Sequence, residues 1–164
     1  MRLLYYVPAF GPPHLEEKLG ALASNVSIIR EQAAAPVDVV LNSYGGDLVA
    51  QEETARQAGG GKVRTHRARG VLTELFLRCP HNEVARDYDR VLFVFDDIAL
   101  KRLDLQALTS ASERGADIVS PIIRGATHAY MQPTALTGLT RAPCLEAYFY
   151  CMTPVTFARY LALN

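Results

Sequence analysis

Five apolar residues in succession, Val91-Leu92-Phe93-Val94-Phe95, run directly into Asp96-Asp97. A continuous apolar run bounded by polar residues reads as a central strand buried on both faces. Such a strand needs a packed layer on each side, which restricts the fold to a sandwiched sheet. Carboxylates avoid apolar strand ends unless they are paired, hydrogen-bonded or bound to a cation. Strand ends of open α/β sheets are also where ligands bind. Asp96 and Asp97 therefore read as a divalent-metal and phosphate site. They read equally as turn residues and caps of the helix that comes next.

The rest of the chain supplies the layers. Strand-like segments at 3–7, 37–41, 62–67, 91–95, 117–120 and 145–152 alternate with helical spacings at 14–30, 48–58, 71–78 and 103–114. Thr153 and Pro154 open a last helix as N-cap and first helical residue. This alternation predicts a Rossmann-like α/β sandwich, with a mostly parallel central sheet and helices on both faces. The 164 residues suit one domain over 1–164. Right-handed crossovers would bring the loops after Val7, Leu41 and Phe95 to one sheet edge. The first strand is expected to stop at Pro8, and residues 122–143 form the longest stretch without a period.

Composition removes several function classes. Seventeen basic and 17 acidic residues give zero formal charge, so no global field favours nucleic acid or an anionic membrane. No run of 18 apolar residues exists to span a bilayer. The strand-like start leaves no room for a signal peptide before Pro8, which predicts a cytoplasmic protein. Three widely spaced cysteines make neither a disulfide framework nor a zinc pattern.

Candidate site residues gather at the predicted edge. The loop beginning at Pro8 brings Tyr6 and Phe10 as aromatic surfaces for a base. Asn42 opens a Gly-rich exit loop that permits close approach. Arg64, Arg67 and Arg69 precede a helix start and suit a diphosphate clamp, or else form a solvated basic loop. Glu146, within an apolar and aromatic stretch, either faces the site as a general base or points outward from an alternating strand. His128 lies in the irregular region. Gly59-Gly60-Gly61-Lys62 lacks the spacing and the Ser or Thr of a phosphate loop.

The stretch Tyr88-Asp89-Arg90-Val91-Leu92-Phe93-Val94-Phe95-Asp96-Asp97-Ile98 resembles the part of GT-A glycosyltransferases that carries the Asp-x-Asp metal motif. Ala116-Asp117-Ile118-Val119-Ser120-Pro121 and the segment 145–157 are similar to the corresponding strands of the GT-A-like DUF707 group, and a viral GT-A domain is another similar type. The resemblance covers residues 62–160. It implies transfer of a sugar from a nucleotide-diphosphate donor to a hydroxyl of a glycan or small-molecule acceptor. It places Mn²⁺ or Mg²⁺ on Asp97 with Asp96, the donor near Arg69, a catalytic role on Glu146, and the acceptor near His128, Tyr130 or Gln132.

Two departures from that pattern stand out. Phe95 occupies the place of the motif's first acid. A Gly-Trp-Gly segment that comes after the last helix in the similar group has no counterpart, and the chain has no tryptophan. These leave two other functions open, a catalytically inactive sugar-nucleotide or glycan-binding module and a nucleotidyltransferase.

Overall fold

The computed structural model of the chain describes residues 1–9, 14–69, 78–121 and 149–163. The expected helix at 71–78 and the irregular region 122–143 fall almost wholly outside these, as does the first half of the last expected strand. In chain order the described elements are β1 (Leu3–Ala9), α1 (Leu15–Ala33), β2 (Val37–Ser43), α2 (Leu48–Gln57), β3 (Gly60–Arg67), a 3₁₀ turn (Asn82–Asp87), β4 (Arg90–Val94), α3 (Leu105–Glu113), β5 (Ile118–Val119), β6 (Phe149–Met152) and α4 (Pro154–Leu163).

Six strands form one sheet in the order β3-β2-β1-β4-β6-β5. β1 pairs in parallel with β2 and β4, and β2 in parallel with β3. β6 runs antiparallel to both β4 and β5. The fold is thus the mostly parallel α/β sandwich expected from the strand and helix spacing.

Strand parity explains the two layers. Leu3, Tyr5 and Val7 of β1, with Val39 and Leu41 of β2 and Leu92 and Val94 of β4, pack against Leu22, Val26 and Ile29 of α1 and Leu105 and Leu108 of α3. Leu4, Tyr6, Val40, Val91 and Phe93 face the other way, onto Ala85 of the 3₁₀ turn and Phe157 and Leu161 of α4. Successive strand residues alternate faces. The uninterrupted apolar runs of β1 and β4 are therefore what two apolar layers require.

Local details differ from the expectation in readable ways. β1 continues through Pro8 to Ala9 rather than stopping. β4 pairs with β1 only as far as Tyr6, so beyond it the strand has a partner on one side, where proline is tolerated. Asp104, rather than Asp96 or Asp97, caps α3, accepting from the Ala107 N–H at 2.8 Å. Thr153 caps α4 as expected, accepting from the Thr156 N–H at 3.2 Å.

β3 begins earlier than its residue pattern suggests because glycine lets it. A Cβ on Gly60 would lie 2.7 Å from the Ala55 carbonyl oxygen at the end of α2. Gly60→Ala must push strand and helix apart. It is expected to lower stability by about 1–3 kcal/mol, read as a reduced urea midpoint at unchanged slope.

Candidate functional site

β1 to β4 all run in parallel, so their C-terminal ends share one edge of the sheet. The strand order reverses beside β1, with β2 on one flank and β4 on the other. A crevice opens at such a switch point in doubly wound sheets. Each flank brings its own chemistry.

On the β2 flank, Asn42 and Ser43 end the strand and both are buried. The Tyr6 hydroxyl donates to Asn82 Oδ1 at 3.0 Å, and Asn42 Nδ2 donates to the same hydroxyl at 3.0 Å. A phenol has one proton to give. With that proton on Asn82, Asn42 must turn its amide nitrogen to Tyr6 and its Oδ1 away. Asn42 Oδ1, Ser43 Oγ and Gln51 Oε1 are buried with no hydrogen-bond partner among the described residues. Leaving such an atom unsatisfied costs about 1–3 kcal/mol, so the end of β2 is a place that calls for donors.

The exit loop after β2 is firmly held. The Tyr44 N–H donates to the Ala9 carbonyl at 2.7 Å, and Arg67 Nη2 donates to the Gly46 carbonyl at 3.0 Å. Asp47 then caps α2 through the Val49 and Ala50 N–H groups. The Tyr44 side chain is left 47% exposed on the rim.

The expected aromatic platform is therefore corrected for Tyr6. The Tyr6 ring is fully buried, stacked on Phe93 at 5.6 Å and tilted onto Phe157 at 5.2 Å, and presents no face to a ligand. Burial drives the Tyr6 pKa well up, with the Cys79 thiol adding to the shift. Pro8 is likewise buried within β1. Tyr44 is the ring that faces outward, and alternation along the strand would not have revealed it, because it lies one residue past the strand end.

The basic run also divides. Arg64 Nη1 lies 3.3 Å from the Tyr88 hydroxyl and 3.7 Å from Asp38 Oδ2, and Tyr88 donates to that same carboxylate. This cluster ties the 3₁₀ turn to the start of β2 and takes Arg64 out of any clamp. Arg67 holds the Gly46 loop. Arg69 is exposed two residues beyond β3. Burial and the neighbouring His81 hold the His66 imidazole below its usual range.

On the β4 flank, Asp96 and Asp97 sit in a turn closed by the Ile98 N–H on the Phe95 carbonyl at 3.2 Å. Asp97 is exposed, whereas Asp96 is buried. Lys18, in the first turns of α1, places Nζ 3.0 Å from Asp96 Oδ2, with side-chain exposures of 16% and 7%. Neither the charge pattern nor any spacing couples these two residues. Asn25, also on α1, anchors residues 98–100 just beyond the turn. Its Nδ2 donates to the Ile98 carbonyl at 2.7 Å and to the Tyr5 hydroxyl at 3.0 Å, and its Oδ1 accepts the Leu100 N–H at 2.7 Å.

The expected metal site has a competing cation on one of its two carboxylates. No group of three or more His, Cys, Asp or Glu suited to a metal exists among the described residues. Mg²⁺ at nucleotide sites is held by one or two carboxylates together with substrate phosphates and waters, and the exposed Asp97 is the carboxylate left for that role. Asp96 already holds a cation. A dication on Asp96 would stand about 5 Å from the Lys18 ammonium and be repelled by roughly 6–7 kcal/mol at an effective dielectric near 20. Phe10, Glu146, His128, Tyr130 and Gln132 lie outside the described residues.

No protein-family model matches the chain, and no curated protein matches it. Solved structures do. The chain is similar over 96% of its length to 59% of the galactosyltransferase LgtC, crystallised with donor and acceptor sugar analogs, at 14% identity and a TM-score of 0.48. It is similar to the bifunctional glycosyltransferase WbbM over 66% of this chain and 20% of that one, at 15% identity and a TM-score of 0.40. A putative nucleotide-diphospho-sugar transferase from Desulfovibrio desulfuricans matches 72% of this chain and 57% of its own, at 18% identity and a TM-score of 0.41. The chain thus spans about three fifths of LgtC. No described helix is long and apolar enough to cross a membrane.

Proposed function

We propose that this chain is the nucleotide-sugar unit of a GT-A-type glycosyltransferase of the hexosyltransferase class, which moves a sugar from a nucleotide-diphosphate donor to an acceptor hydroxyl. What carries this reading is the set of groups gathered at the C-terminal ends of the parallel strands, where a switch point lies. Buried acceptor atoms lie at the end of β2, and the charged Lys18–Asp96 pair lies beyond the end of β4. A nucleoside diphosphate matches both flanks. Its base has an exposed ring in Tyr44, its donors suit the acceptor-rich end of β2, and its diphosphate would extend toward the β4 flank, while Arg69 lies beyond β3 on the other side of β2. The sequence resemblance over residues 62–160 supplies the reaction class.

In the transfer, the acceptor oxygen attacks the anomeric carbon, the carbon–oxygen bond to the diphosphate breaks, and the acceptor proton passes to a carboxylate base. Glu146 is the residue assigned to that role, with His128 and Tyr130 beside the acceptor. The inactive sugar-nucleotide module is the second reading, favoured by Phe95 in the place of the motif's first acid.

Thermal stability against a panel of nucleosides, nucleoside diphosphates and nucleotide sugars tests the donor site, because binding to the folded state raises the midpoint. A midpoint rise for one nucleoside diphosphate is expected, and Asn42→Leu should weaken that binding by about tenfold or more, as loss of a hydrogen-bond acceptor facing a buried donor does. A folded sample that responds to no nucleotide sinks the transferase reading. Chromatographic release of nucleoside diphosphate from the matching nucleotide sugar separates an active enzyme from a silent module, and release of pyrophosphate would point to a nucleotidyltransferase.

A further inference from the structure

We propose that Lys18 is the resident cation of this site, so that a nucleoside diphosphate binds here without a divalent metal. The inference rests on the donor-site reading and deepens it.

The geometry carries it. Lys18 comes from the start of α1, the element that leaves the C-terminal end of β1. Asp96 comes just past the C-terminal end of the adjacent parallel strand β4. Their side chains meet at 3.0 Å across the switch point, both largely shielded from water. The ammonium thus stands beyond the C-terminal ends of β1 and β4, the sheet edge at which ligands of such folds bind. Ammonium groups carry three N–H donors and bind phosphate as compact point charges. The bond to Asp96 fixes that charge in place at the mouth of the crevice.

Stability alone does not account for the pair. A shielded ion pair is commonly no more stabilising than a well-packed apolar pair in its place, because desolvation offsets the Coulomb attraction. A divalent ion and this lysine also compete for the same carboxylate. Phe95, where another metal-binding acid would stand, lies with its ring edge-on to Phe93 at 5.6 Å. Asp96 is then a positioning residue that holds the Lys18 ammonium toward the diphosphate, and Asp97 is an exposed carboxylate on the rim.

The test uses the whole chain and titration calorimetry with UDP, GDP, ADP and CDP, each in EDTA and in MnCl2, beside the corresponding nucleosides. The diphosphate that binds is expected to do so with the same Kd in EDTA and in Mn²⁺. Lys18→Arg should keep that affinity within a few fold. Lys18→Met should lose about tenfold or more for the diphosphate while leaving the nucleoside unchanged, a split that a merely structural lysine would not produce. Diphosphate binding that requires Mn²⁺ overturns the Lys18 assignment and leaves the donor site standing. A folded Lys18→Met protein that binds the diphosphate as tightly as the wild type overturns it as well. Absence of binding by any nucleotide, with metal or chelator, overturns the donor site and the Lys18 assignment together. The comparison of chelator with Mn²⁺ needs only the wild-type chain, so it can overturn the assignment even if Lys18→Met fails to fold.

Discussion

Asn25→Ala will lower the unfolding free energy by about 4 kcal/mol, at about 1–3 kcal/mol for each buried group left without its partner. The amide of Asn25 serves the Ile98 carbonyl, the Tyr5 hydroxyl and the Leu100 N–H together, and the side chain is 1% exposed. Alanine strands all three groups and opens a small cavity beneath α1. Asn25→Asp keeps the shape and the acceptor for Leu100, but turns a carboxylate oxygen toward the Ile98 carbonyl, so it should be nearly as damaging. Urea denaturation of both variants measures the loss. Residues 98–100 directly succeed the Asp96-Asp97 turn, so nucleotide affinity should fall in Asn25→Ala under conditions where the protein is still folded. An Asn25→Ala protein within about 1 kcal/mol of the wild type, against that expectation of several unsatisfied groups, would show that α1 does not hold the turn in this way.

Asp96→Ala is the second large effect, and its interest lies in the contrast with a double variant. Removing one partner of a buried ion pair leaves an uncompensated charge and costs about 3–5 kcal/mol. Lys18 is shielded to nearly that degree, so a loss of about 3 kcal/mol is expected, at the low end of that range. Replacing both partners by apolar residues, Lys18→Met with Asp96→Leu, should restore most of the stability, because the charge and its desolvation cost go together. It should not restore diphosphate binding. Asp97→Ala, at an exposed position, should leave stability within about 0.5 kcal/mol of the wild type. Chemical denaturation and calorimetry on the wild type and these three variants separate the structural share of the pair from its binding share. If the double variant binds the diphosphate normally, the pair is only a strut between α1 and β4.

Two substitutions with smaller effects bear on other parts of the same molecule. Gly60→Ala probes the close passage of β3 under α2, and Asn42→Leu probes the acceptor at the end of β2.

The layers of this fold are legible in the amino-acid order. Unbroken apolar runs in β1 and β4 and helical spacing between strands are local patterns, each set by a period of two or near 3.6, and they can be read without knowing any partner. The same patterns located Asp96 and Asp97 just past a strand end, whereas Asn42, read as the opening of an exit loop, is a buried residue within β2. The neighbours of those residues were not legible, because folding brings them in from distant segments. Lys18 and Asp96 lie far apart in the chain, as do Asn25 and Leu100, and no periodicity links them. The burial of Tyr6 and the exposure of Tyr44 depend on which layer packs over β1 and where β2 ends. The antiparallel course of β6 depends on its pairing with β4 and β5. Local spacing sets which face of an element is apolar. The side chain that meets it across the sheet edge is chosen by long-range contacts, and in this chain those contacts place a lysine where the carboxylates alone had suggested a metal.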